Sequence, residues 1–160
     1  MKQKFLLAIV FFLLTANVFA QIREARKIDE FGAITCDEYL ARADTMITAR
    51  ANNPTEMVYV FIYEGKEKRA IYKNGELTGY KSIFPQYGSA KAKIESMKKY
   101  IKLRTRSIEN YVFVNGGFRE ESRVEIWLAP AGAQPPKPTP TLEKMKYRKG
   151  KPRGFCTWCC

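Results

Sequence analysis

Met57-Val58-Tyr59-Val60-Phe61-Ile62-Tyr63 is an unbroken run of apolar and aromatic residues. Asn52-Asn53-Pro54 precedes it, and Glu64-Gly65-Lys66 is expected to end it. A short, β-branched and aromatic run between turn residues reads as a strand buried on both faces. Strands of this kind occupy the interior of sheets that are covered on both sides. The rest of the chain can be placed outward from this strand.

Upstream, Thr35-Cys36-Asp37-Glu38 has the form of a capping box, in which the threonine hydroxyl and the glutamate satisfy each other's end of a new helix. Cys36, Leu40, Ala43, Ile47 and Ala51 recur at helical spacing on one face. Pro54 disfavours helical geometry just before it, so the helix stops by Asn53. Phe31, Ala33 and Ile34 give a short first strand around 31–34.

Downstream, residues 65–88 have two readings. Lys73-Asn74-Gly75-Glu76 is a turn signal and favours a small hairpin between Ala70-Ile71-Tyr72 and Leu77-Thr78-Gly79-Tyr80; the alternative is a long loop. Ser89 then reads as an N-cap. Ala90, Ile94, Met97 and Ile101 form the apolar stripe of a helix over about 89–105, with a basic solvent face. Tyr111-Val112-Phe113-Val114 is the next strand, and Asn115-Gly116-Gly117 is expected to end it. Val124, Ile126 and Leu128 alternate with Arg123, Glu125 and Trp127 in the last one, and the short gap between these two runs predicts an antiparallel pair. The expected fold is α/β bordering on α+β, in βαβαββ order: a mixed sheet of about three to four strands with two packed amphipathic helices and an extended C-terminal tail.

Three stretches, in this order, resemble the OmpA-like C-terminal domain, the peptidoglycan-associating module of outer-membrane proteins. The first is the helix from Cys36 that ends in Asn53-Pro54 ahead of an apolar strand. The second is Lys93-Ile94-Glu95-Ser96-Met97-Lys98-Lys99-Tyr100-Ile101. The third is Ser107-Ile108-Glu109-Asn110-Tyr111-Val112, then Gly116-Gly117-Phe118-Arg119-Glu120, then Arg123-Val124-Glu125-Ile126. The resemblance spans residues 31–129, with an insertion at about 66–88 and a lead-in over 21–30. It implies the fold. It does not carry peptidoglycan recognition, because the family's helix arginine falls on Lys93, its binding aspartate has no counterpart, and the chain has no histidine.

The first twenty residues have a Lys2/Lys4 n-region, an apolar core from Phe5 to Leu14 and a Val18-Phe19-Ala20 cleavage pattern. They read as a secretory signal peptide cleaved before Gln21, with an uncleaved anchor as the alternative. The expected location is periplasmic or extracellular, with no membrane-spanning segment in the mature chain. Losing Lys2 and Lys4, and no acid, lowers the formal net charge from +12 to +10. Seven of the remaining cations, against one acid, lie beyond residue 129, so the basic excess is concentrated in the tail. There a proline-rich linker (130–141) leads to a basic, cysteine-containing end (142–160).

Without histidine, serine–histidine and cysteine–histidine catalysis are excluded. No glycine-rich phosphate loop precedes a helix, so neither an enzyme nor a cofactor is expected. Cys36, Cys156, Cys159 and Cys160 are disulfide candidates in an oxidising compartment, with Cys36 to Cys156 as the simplest pairing. Oligomeric state is not readable. The leading expectation is an exported, non-catalytic binding or structural module. The alternative is a protein that binds a cell-wall or other anionic polymer. Its contacts would be Lys91, Lys93, Lys98, Lys99 and Lys102 on the second helix, with Lys144, Lys146, Arg148, Lys149, Lys151 and Arg153 in the tail.

Overall fold

A computed structural model describes residues 24–156. The leader, Cys159 and Cys160 lie outside the described residues. The elements run β1 (Arg26–Phe31), α1 (Cys36–Asn52), β2 (Met57–Lys73), β3 (Glu76–Ile83), α2 (Ser89–Thr105), β4 (Tyr111–Glu121) and β5 (Arg123–Ala129). The order is βαββαββ, one strand more than expected, and the fold is mixed α+β.

β1, β5 and β2 lie side by side with antiparallel pairing. β4 runs parallel to β2 on its other edge, along residues 58–66 of β2. β3 pairs antiparallel with the far half of β2, residues 67–73. The turn between them is Asn74-Gly75, with φ of 52° and 86°, so the hairpin forms on the Asn-Gly signal.

The helices cover one face of the sheet. Tyr39, Met46, Ala90, Met97 and Ile101 pack against Val58, Val60, Ile62, Val124, Ile126 and Leu128. Thr35 and Glu38 form the capping box of α1. The buried stripe of α1 is Tyr39, Ala43 and Met46, with Leu40 and Ile47 at its edge, so it is rotated from the expected one. The other face of β2 is buried too, since Phe61 and Tyr63 are almost fully enclosed. Tyr63 lies beneath the Arg119 guanidinium, 3.7 Å from its ring centre. The chain beyond β5 returns over it: the Thr139 N–H donates to the Tyr63 hydroxyl (3.0 Å), and the Thr141 and Leu142 amides donate to the Phe118 carbonyl.

Several expectations are corrected. β2 does not end at Glu64-Gly65-Lys66, and β4 does not end at Asn115-Gly116-Gly117; both run on. Gly65 is a crossing point, because a Cβ there would fall on the backbone of Glu121 and Ser122. The link from β4 to β5 passes over β2 at that glycine, so the two strands flank β2 and do not pair with each other. Ser122 ties the crossing down: its N–H donates to the Lys66 carbonyl and its hydroxyl to the Tyr63 carbonyl. The first strand is Arg26–Phe31 and not 31–34, because Phe31, paired with Val124, closes the ladder with β5. Ser89 is not the N-cap of α2. That position is Gly88, with φ of 79°, and the Glu64 carboxylate from β2 accepts the Ala90 N–H at 2.8 Å.

Candidate anion-binding site

The site is where the tail meets the root of the hairpin. Glu64 starts it. Its Oε1 holds the start of α2, and its Oε2 accepts the Tyr147 hydroxyl proton at 2.6 Å. Burial, then the bond to Glu64, raises the Tyr147 phenol well above its ordinary pKa. Arg148 continues the docking: its N–H donates to the Pro85 carbonyl (3.0 Å) and its Nε to the Phe84 carbonyl (2.9 Å). Further on, the Phe155 N–H donates to the Ser96 hydroxyl (2.8 Å), and the Phe155 ring stacks on Tyr39 with centroids 4.3 Å apart. Cys36 and Cys156 are joined by a disulfide, Cα atoms 5.2 Å apart, as the simplest pairing had it. The tail from 147 to 156 is therefore held at both ends of its run along the domain.

This docking leaves an open cleft of about 530 Å³ between hairpin root and tail. Its wall carries Arg69 from β2, Gln86, and Arg148, Lys151 and Arg153 from the tail, with no carboxylate among the described residues. An adjoining pocket of about 310 Å³ shares Arg69, Gln86, Arg148 and Arg153, and reaches Lys68, Glu67 and Ser89. Glu67, the one acid among the described residues lining it, is paired with Lys93 at 2.7 Å. Guanidinium groups around a concave wall are suited to oxyanions, because each presents a planar fork of donors.

No family model matches the chain, and no curated protein or solved structure matches it.

The structure brings three of the expected anion contacts together: Arg148, Lys151 and Arg153. Lys144, Lys146 and Lys149 are exposed on the same tail but line neither pocket. The lysine face of α2 stands apart from the cleft. Lys91, Lys99 and Lys102 are exposed, and Lys98 pairs with Glu95 at 3.2 Å. Lys93 is not on that face. It is only 9% exposed, and its ammonium bridges Glu67 and the Ser122 hydroxyl (2.8 Å), so it neutralises a carboxylate and braces the strand crossing. Arg69, Lys68, Gln86 and Ser89 were not among the expected contacts. For Lys68 and Arg69 the signal is the basic run Lys66-Glu67-Lys68-Arg69, which gains meaning only once the tail is docked beside it.

Among the described residues, no group of three or more His, Cys, Asp and Glu side chains could hold a metal ion. No described helix is long and apolar enough to cross a membrane.

Proposed function

We propose that this chain is an exported, non-catalytic module that binds an anionic polymer in the cleft between its hairpin and its tail. One observation carries this reading: cations from two distant parts of the sequence, Arg69 on one side and Arg148, Lys151 and Arg153 on the other, line one concavity whose wall, among the described residues, has no carboxylate. Convergence of like charge is unfavourable for the protein alone and is repaid when an anion binds. The resemblance to cell-wall-associating domains makes cell wall the first polymer to test, with contacts other than that family's.

The test is retention on purified cell wall and on a soluble polyanion across a salt series. Arg69→Ser with Lys151→Ser should lower the slope of log affinity against log salt by about one per cation removed. Both side chains are exposed, so the fold should survive the change. Lys91→Ser with Lys99→Ser and Lys102→Ser should leave binding nearly intact. Retention that ignores salt, or that depends on the helix lysines and not on Arg69 and Lys151, would overturn the proposal.

A further inference from the structure

The geometry points to a seat for one tetrahedral oxyanion, a phosphoryl or sulfuryl group carried on the polymer, at the inner end of the cleft. This rests on the polymer-binding reading above and names the chemistry that the site selects.

Ser89 supplies the observation. It lines the inner pocket, is 3% exposed, and its hydroxyl has no hydrogen-bond partner among the described residues. A buried hydroxyl without a partner is costly, so native structures rarely leave one unless a ligand or water completes it. The start of α2 is not itself the seat, since Glu64 already takes the Ala90 amide. The donors lining this pocket include the Ser89 hydroxyl and the guanidinium groups of Arg69 and Arg148. They come from the sheet, the helix start and the tail, and so approach from different sides.

That arrangement separates two kinds of anion. A carboxylate offers two oxygens in one plane, which a single guanidinium fork satisfies. A phosphoryl or sulfuryl group projects its oxygens in three dimensions and can engage several forks and a hydroxyl together. Lys93 neutralises Glu67, the carboxylate that lines this pocket, and the neighbouring Glu64 carboxylate is engaged by the Ala90 amide and the Tyr147 hydroxyl.

The experiment compares the full mature chain with three linear polymers at matched charge and salt: polyphosphate, dextran sulfate and polyglutamate. The wild type should bind polyphosphate or dextran sulfate at least about tenfold more tightly than polyglutamate, and inorganic phosphate or sulfate should compete. Which of the two polymers leads identifies the source. Ser89→Ala should remove most of this preference and leave polyglutamate binding unchanged. Arg69→Lys keeps the charge and loses the fork, so it should reduce the preference without changing the salt slope. Equal binding of all three polymers, or a preference untouched by both variants, would overturn the seat and leave the polymer-binding reading standing. Failure to bind any of the three would overturn both.

Discussion

Glu125 is a buried charged group, and it shows how single residues hold the face of the sheet away from the helices together. Its side chain is 3% exposed. It accepts from Lys27 Nζ and Arg119 Nη2, both at 2.9 Å, from the Tyr63 hydroxyl at 3.1 Å and from Trp127 Nε1 at 3.2 Å. Burial pushes its carboxyl pKa up, but the hydrogen bonds from Lys27, Arg119 and Trp127 outweigh burial and hold it below the ordinary value. A carboxyl with a depressed folded-state pKa stabilises the fold above its unfolded pKa, near 4.5, and that contribution is lost as pH falls through the folded value. Lys27, raised by its bonds to Glu30 and then Glu125, keeps its contribution until pH rises above 10.5, so it does not affect the acid limb. Urea denaturation should therefore show stability level between pH 7 and 5.5 and falling below pH 4.5. Glu125→Gln should cost roughly 1–3 kcal/mol at pH 7 and flatten the acid limb. A variant with an unchanged acid limb would show that other carboxylates set it.

At the scale of elements, β2 and α2 depend on each other through Glu64. The carboxylate is part of a strand, yet it caps a helix and anchors Tyr147 of the tail. Glu64→Ala should cost about 1–2 kcal/mol through the lost cap, with a further loss from the unpaired tyrosine. Tyr147→Phe removes only one hydrogen bond and should cost about 1 kcal/mol. Thermal denaturation of both variants tests the order, and equal losses would remove the cap from the account. What could be read in the sequence follows the same division. The buried middle of β2, the Thr35–Glu38 capping box, the Asn74-Gly75 turn and the core stripe of α2 are local patterns, and they appear where expected. The end of β2 is not local. Gly65 is required by backbone that lies 56 residues later, at Glu121, and reads as a terminator until that neighbour is known. The same holds for β4 and β5: the short gap between Val114 and Arg123 reads as a hairpin unless a third strand lies between them. Lys93 has the spacing of a surface lysine near the core stripe, and only its partners Glu67 and Ser122 turn it inward. For the site, the tail cations were visible as a charge run, but their partners Arg69 and Ser89 were not, because no periodicity links residue 69 to residue 148.

For the whole molecule, the decisive contact is the one that joins the start of α1 to the tail. The disulfide closes a separation of 120 residues, from Cys36 at the start of α1 to Cys156 in the tail. In the chain-entropy view a crosslink over such a span stabilises the fold by roughly 4–5 kcal/mol, less any strain. Its second effect is positional. The tail packs through Phe155 on Tyr39 and Ser96, through Arg148 on Phe84 and Pro85, and through Tyr147 on Glu64 and Tyr87. Without the crosslink, mutual repulsion among Arg148, Lys151, Arg153 and Arg69 opposes docking with less to offset it. Cys156→Ser should therefore lower the melting temperature and weaken polymer binding, and Cys36→Ser should do both to the same extent. The double variant should equal either single one, since each removes the same bond. Adding polymer should recover part of the lost melting temperature in the variants, because an anion bound in the cleft pulls the tail back into place. If the variants bind polymer as tightly as the wild type, the tail reaches its position without the crosslink, and the disulfide serves stability alone.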